Sequence, residues 1–322
     1  MTVLVLTRAL DATADLVIAE LTDRGAPVHR LDPGEFPESL VIGAHLGPGV
    51  GNWGGMLRSQ HRGLSLDSVH AVYYRRPSPF RLHRGMSEQD AQWSQTEARA
   101  GFGGVLSSLD CIWVNHPYHN AAAEQAPVAL AVASRCGLLV PRTLITNDPY
   151  VAREFVASLP GKIAAYKALG PGGPSDHDGK PHALWTTKVD ADGINASVHR
   201  TAHQFQQWIN KAYEVRATWV AGRMFAAEIH TTSDAARQDF RADYDDHTYK
   251  PCVVPADIVN AVTALAGSFG LQYAALDFLV SEDDGHWYLV DVNPNGQWAF
   301  IPELRGAITR ALADLLQGEN PR

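Results

Sequence analysis

A chain of 322 residues, 45% of them apolar, is long for one hydrophobic core and predicts two or three packed subdomains. Its formal net charge of −8 disfavours nonspecific nucleic-acid binding, and no apolar run approaches the ~20 residues of a membrane span, so neither partner is expected. Cys111, Cys136 and Cys252 are widely spaced and form no CxxC or CxxH pattern, which excludes a disulfide framework or a structural zinc site and points to a reducing, cytoplasmic location.

The first third alternates strand and helix: TVLVLT, a helix from about Asp11 to Arg24, PVHRLD, AVYYRR, a helix near Gln89 to Leu109, and CIWVNH. This is an α/β pattern with a mostly parallel sheet. No GxGxxG follows the first strand, which argues against a classical dehydrogenase. A helix over about Ala121 to Cys136 leads through GLLVPRTLITNDP to another, where Asn147 or Asp148 can cap and Pro149 suits the first helical position. The strand KIAAYKAL then precedes GPGGPSDHDGKP, the segment richest in glycine and proline. Lys180 is followed by Pro181, so this is no Walker motif. Two hairpins are predicted next, LWTTKV-DADG-INASVH and EVRATWV-AG-RMFAAEI. A helix from about Pro255 to Phe269 presents Ile258, Val262, Leu265 and Phe269 on one face. The hairpin YAALDFLV-SEDDG-HWYLVDVN and a C-terminal helix close the chain.

The last hairpin carries the chemistry. Folding symmetrically about Asp284 pairs Asp277 with Asp291, and Asn293 shares their face two residues on. Two carboxylates and an amide oxygen suit Mg²⁺, which takes a few protein oxygens plus water and phosphate. Phosphate handling then gives meaning to Lys167, at a strand end before the glycine loop, where an ammonium meets an anion. The strand HQFQQWI, ahead of Lys211, offers backbone and apolar contact to a purine. In AYEVRATWV, Glu214, Arg216 and Thr218 share one face and Val215, Ala217 and Trp219 the other. Asp239 and Arg241 fall in a loop, where an arginine can clamp a carboxylate or an acyl phosphate. A basic run, Arg75, Arg76, Arg81 and Arg84, stands out on an acidic protein. His116 and His119, in HPYH, lack a nearby carboxylate and read as turn histidines rather than metal ligands.

In this order, Lys167 before a glycine loop, HQFQQWI, YEVR, ALDF and LVDVNPNGQW resemble the ATP-grasp fold. With YYRRP, GLLVPRTLITNDP and DFR added, the whole chain is similar to the graspetide synthetases, the microviridin-type ATP-grasp maturases of ribosomal peptides. The resemblance implies an α/β (α+β) protein with a preATP-grasp domain over residues 1–118. A central helix and small ATP-grasp subdomain over 119–205 and a C-terminal ATP-grasp subdomain with the metal site over 206–322 would follow. It implies ATP and Mg²⁺ as cofactors, with Lys167, Lys188 and Lys211 on the nucleotide side and Gln206, Gln207, Trp208 and Ile209 as the adenine hinge. Glu214 would face the ribose, and Asp277, Asp291 and Asn293 the Mg²⁺ ions. Arg216, Arg241 and Asp239 would form the catalytic group at the acyl phosphate. The expected reaction activates Asp or Glu side chains of a precursor peptide, leader plus acidic and Thr-rich core, and joins them to Thr or Ser hydroxyls or Lys amines. A homodimer is expected. Many members have Glu where this chain has Asp291, and a lysine where AEQAPVAL has none. The competing readings are a small-molecule ATP-grasp ligase and a nucleotide-binding regulator without ligase activity.

Overall fold

The computed structural model describes residues 1–49, 51–170, 186–231 and 247–319. Asp239, Arg241 and nearly all of the glycine loop lie outside the described residues.

The first third forms the expected parallel sheet, ordered Val28–Leu31, Thr2–Leu6, Val69–Tyr74 and Ile112–Val114. Val3 and Val5 point to one side, where the helix Ala12–Asp23 lays down Ala14, Val17 and Leu21; Leu4 and Leu6 point to the other. Asp11 caps that helix by accepting the Thr13 and Ala14 N–H groups at 3.2 Å. An antiparallel sheet of Val41–His45, Gly54–Arg58 and Gly63–Ser65 lies between the second and third strands in sequence, and sequence patterning did not single it out. It buries Leu57 and Leu64 against the Leu4 side but leaves Val41 and Met56 exposed, so its alternation is weak.

The helix expected from Ala121 to Cys136 is instead two, Pro117–Ala123 and Ala126–Arg135. The break falls at Gln125, because Pro127 lacks an N–H and fits only the first turn of a new helix. Asp148 caps Pro149–Ala157 as expected, accepting from Tyr150 and Val151. This helix covers one face of an antiparallel sheet ordered Thr187–Val189, Ala164–Lys167, His203–Gln207 and Thr143–Thr146. The first predicted hairpin is absent: INASVH forms a 3-10 turn, Ala196–Arg200, capped by Asn195. The Asn195 side chain accepts the Ser197 N–H at 2.9 Å, which turns the backbone out of an extended run, and Ile194 and Val198 enter the core beneath the helix.

The second hairpin pairs Lys211–Val220 with Arg223–Thr231 through Ala221 and Gly222, both at positive φ (43° and 92°), the two-residue turn that suits twisted strands. It joins His247–Cys252, Tyr273–Ser281 and Trp287–Asn293 in a five-stranded antiparallel sheet. One face, carrying Val215, Ala217, Trp219, Leu276 and Phe278, packs on the helix Ala256–Phe269 through Val262, Leu265 and Phe269. On the other face, Ala227, Tyr273 and Ala275 meet the helix Pro302–Leu316 and Trp298, in one core with Val3, Val5 and Tyr73 of the first sheet. The two sheets therefore share a core, and the DVNPNGQW segment lies at their seam.

Candidate functional site

The strand Lys211–Val220 directs Glu214, Arg216 and Thr218 toward the seam and Val215, Ala217 and Trp219 to the helices, as alternation predicts. The cross-strand row is Arg216, Asp277, Asp291, with Ala275 opposite Asn293. The Asp277–Asp291 pairing is the expected one, reached by a different route. Val280 pairs with Trp287, Leu279 with Tyr288 and Phe278 with Leu289, so an unbroken ladder would set Asp277 opposite Val290. A bulge between Phe278 and Asp277 skips Val290 and restores the pair of acids.

Arg216 does not lie outward. Its Nη1 donates to Asp277 Oδ1 at 2.6 Å and its Nη2 to the Gln297 carbonyl at 2.8 Å, with side-chain exposures of 6% for Arg216 and 5% for Asp277. Burial opposes the guanidinium charge, but Asp277 first, then Tyr273 and Asp291, outweigh it and hold its pKa above the ordinary value. Asp291 is half-buried, and Asn293 turns its Oδ1 to the Asn295 N–H at 3.1 Å. Among the described residues, no three His, Cys, Asp or Glu side chains cluster as metal ligands; the candidate set is two carboxylates and one amide oxygen.

After Asn293, every residue of PNGQW is used by the seam. The Pro294 carbonyl accepts from Asn115 Nδ2 at 2.8 Å, and Asn295 Nδ2 donates to the Arg75 carbonyl. The Gly296 carbonyl accepts from Tyr273 Oη at 2.8 Å and Arg75 Nη1 at 3.2 Å. A Cβ at Gly296 would lie 2.5 Å from Ala275 Cβ and 2.7 Å from Arg216 Nη2, so only glycine fits. Gln297 Oε1 accepts from Thr13 Oγ1 at 2.7 Å and Arg75 Nη2 at 3.1 Å, and Trp298 is fully buried.

Arg75, grouped in sequence with a basic surface run, is thus 2% exposed and structural, with Asp11 Oδ2 at 3.7 Å from its Nε. Burial works against its charge, and Tyr73, Tyr273 and Asp11 together more than offset that. Its role, and those of Asn115 and Tyr273, were not identified from sequence, because Arg75 and Asn115 act across the seam on segments more than 150 residues away and Tyr273 acts on a backbone carbonyl, that of Gly296. Asn115, 2% exposed, also donates to the Tyr273 carbonyl and accepts from the Gln272 and Tyr273 N–H groups.

The residues expected to take the adenine lie near Ser281 and Asp284, at the other end of the sheet. Lys167 Nζ donates to Gln206 Oε1 at 3.0 Å, and Gln206 Nε2 donates to Thr143 Oγ1 at 3.0 Å. Gln206 is 1% exposed, so its amide is locked in position. Lys211 ion-pairs with Glu214, three residues further along the same strand. Lys188 sits 4.4 Å over the Trp208 ring, and both line a cavity of 280 Å³ with Gln207 and Ile209. The structure therefore brings Asp277, Asp291, Asn293 and Arg216 together at the seam, joins Lys167 to Gln206 and Lys211 to Glu214, and lines one cavity with Lys188, Gln207, Trp208 and Ile209. His116 and His119 serve structure: His116 caps a helix and bonds the Ser107 carbonyl at 2.9 Å, and His119 bonds the Gly270 carbonyl at 3.0 Å.

This architecture defines an ATP-grasp protein: a parallel N-terminal sheet followed by a small antiparallel sheet and a larger one. Residues 2–121 match the family described as the MvdD pre-ATP grasp domain, and the resemblance to the graspetide synthetases holds in the fold of the whole chain. A Chryseobacterium gregarium RiPP-associated ATP-grasp ligase, solved with ADP and a leader and core peptide, is 25% identical, with TM-score 0.91, over 100% of this chain and 98% of that one. The macrocyclase MdnC of Microcystis aeruginosa MRC, bound with precursor peptide MdnA, is 26% identical, with TM-score 0.86, over 99% of this chain and 100% of that one. MdnB of the same organism shares the fold at 24% identity and TM-score 0.79, over 98% of each chain. A search of curated sequences gives no match. Among the described residues, no helix is long and apolar enough to cross a membrane.

Proposed function

We propose that this protein is an ATP- and Mg²⁺-dependent ligase that closes rings in a ribosomal precursor peptide. The observation that carries the reading is the row Arg216, Asp277, Asp291 with Asn293 beside it, two carboxylates and an amide converging with a buried guanidinium. Support comes from the peptide-bound ligase and macrocyclase that share the whole fold and from the MvdD-type N-terminal domain.

The donor set fits the metal: Mg²⁺ favours a few rigid protein oxygens, completed by water and phosphate. Asp277, Asp291 and Asn293 would hold it, and its chemistry there would be to offset charge on the transferring phosphoryl group. Lys167 would meet the nucleotide phosphates, with Lys188 and Lys211 nearby, residues 206–209 would take the adenine, and Glu214 the ribose. A side-chain carboxylate oxygen of the peptide attacks the γ-phosphorus of ATP, ADP leaves, and an acyl phosphate remains. A Thr or Ser hydroxyl, or a Lys amine, then attacks the acyl carbon and gives up its proton as phosphate departs, leaving an ester or an amide. Arg216, fixed by Asp277 and the Gln297 carbonyl, stabilises negative charge in both steps without reorganising. Asp239 and Arg241 complete this group by resemblance. The domain limits at residues 118 and 205, a cytoplasmic homodimer and ester formation ahead of amide formation belong to the same proposal.

The test uses the short peptide encoded next to the gene. With Mg²⁺ and ATP, the protein is expected to release ADP and remove one water from the peptide per ring, read by mass. ADP release driven by free amino acids, with the peptide unchanged, would favour the small-molecule ligase instead.

A further inference from the structure

The parallel sheet has its topological switch between the strands Thr2–Leu6 and Val69–Tyr74: the chain leaves the first strand to one side for Val28–Leu31 and later returns on the other. In open α/β sheets, ligands bind beyond the carboxyl ends of strands at such a point. At that crevice, Arg75 and Arg76 follow the strand Val69–Tyr74 directly and Arg8 lies just past Thr2–Leu6. Arg8 follows the first strand and its N–H donates to the Arg76 carbonyl at 3.0 Å, while Arg75 N–H donates to the Leu6 carbonyl at 2.9 Å. Arg75 is consumed by Asp11, Gly296 and Gln297. Asp11, the nearby acid, is itself committed to Thr7 at 2.7 Å and to its helix cap.

Arg76 is left half-buried, and its guanidinium makes no hydrogen bond or ion pair with any described residue. Burial first, then the Arg75 and Arg8 charges, push its pKa below the ordinary arginine value, with only Asp11 and Tyr273 acting the other way. Arg76 thus lies closer to like charge than to any acid that could pair with it among the described residues. It also adjoins the candidate site: Asn295, two residues after Asn293, bonds the carbonyl of Arg75, the residue before Arg76. Arg81 and Arg84, further along the run, are exposed and have no such position.

We propose that Arg76 is a positioning residue that holds an unreacted acidic side chain of the peptide substrate at the seam, and so selects for acidic cores. This rests on the ligase reading for the identity of the substrate, while its anion-binding claim stands on the crevice alone. An arginine fork takes a carboxylate through two charge-assisted hydrogen bonds, which an amide isostere cannot match.

The test is binding of two short fluorescein-labelled peptides, alternating Thr and Glu or alternating Thr and Gln, to the full chain and to Arg76→Ala and Arg76→Lys. Wild type is expected to prefer the Glu peptide about tenfold, the discrimination one charge-assisted pair supplies. Arg76→Ala should erase that preference, Arg76→Lys should keep part of it, and affinity for a non-hydrolysable ATP analogue should stay unchanged in both. No preference in wild type, or a preference that survives Arg76→Ala, overturns the proposal. Loss of nucleotide affinity in place of peptide affinity also overturns it, since the crevice would then bind phosphate. An Arg76-dependent preference in a protein that releases no ADP would sink the ligase reading and leave this one standing.

Discussion

Replacing Arg216 by Met tests the buried pair at the centre of the site. The Arg216 and Asp277 side chains are 6% and 5% exposed and meet at 2.6 Å, so the change takes the guanidinium from a carboxylate that water barely reaches. Breaking a buried pair by removing one partner costs about 3–5 kcal/mol, because the remaining charge keeps its desolvation penalty. The Gln297 carbonyl loses its donor as well, which adds about 1 kcal/mol. The double variant Arg216→Met, Asp277→Leu removes both charges and is expected to recover most of the loss, to within about 1–2 kcal/mol of wild type, since well-packed apolar pairs match buried ion pairs in stability. Urea denaturation followed by tryptophan fluorescence reads this out, because Trp298 is buried beside the Gln297 carbonyl that Arg216 holds. Both variants should be inactive. A single variant within about 1 kcal/mol of wild type, or a double variant no more stable than the single, would refute the reasoning.

Gly296→Ala should destabilise by about 1–3 kcal/mol and cut turnover sharply, since its Cβ would displace Ala275 or the Arg216 guanidinium; a crystal structure with Arg216 unmoved and full activity would contradict this. Burial raises the Asp11 pKa, but the Thr7 hydroxyl, the Arg75 charge and the Ala14 and Thr13 N–H groups outweigh it, so the folded value lies below the unfolded one. Its contribution is therefore full above the unfolded pKa of about 3.9 and is lost as pH falls through the lower folded value. Asp11→Asn should thus be less stable at pH 7 and lose less on acidification; equal slopes in acid would argue against it. The Cys111 thiol is pushed up to about 12, by burial first and then by Asp110. At pH 8 it should react with iodoacetamide roughly a thousandfold more slowly than a free cysteine, for want of thiolate. Peptide mapping that finds Cys111 labelled at a free-thiol rate would refute this.

Much of the site was legible because its residues are local in sequence or lie symmetrically about a turn. Alternation set Arg216 on the face opposite Val215 and Ala217, and hairpin geometry brought Asp277 to Asp291. Even there, the pairing depends on the bulge at Val290, which a simple count from Asp284 replaces by a shifted turn centre. What sequence could not give is what the seam demands. Arg75 looks like one basic residue in a surface run until the NPNGQW carbonyls, more than 200 residues later, come to meet it. INASVH has strand-like composition, but the Asn195 side chain, which accepts the Ser197 N–H, favours a 3-10 turn. The helix break at Gln125 was marked by Pro127, a signal that the apolar periodicity on both sides obscured.

If a peptide carboxylate becomes an acyl phosphate at the row formed by Arg216, Asp277 and Asp291, one of its oxygens leaves with the phosphate. Oxygen-18 in the core Asp and Glu carboxylates of the precursor tests it most directly, with the released phosphate analysed by mass. One labelled oxygen is expected in phosphate for each water lost from the peptide, and neither labelled phosphate nor ring closure is expected in a folded Asp291→Ala variant. Ring closure with all phosphate unlabelled, or full transfer by Asp291→Ala, would contradict it.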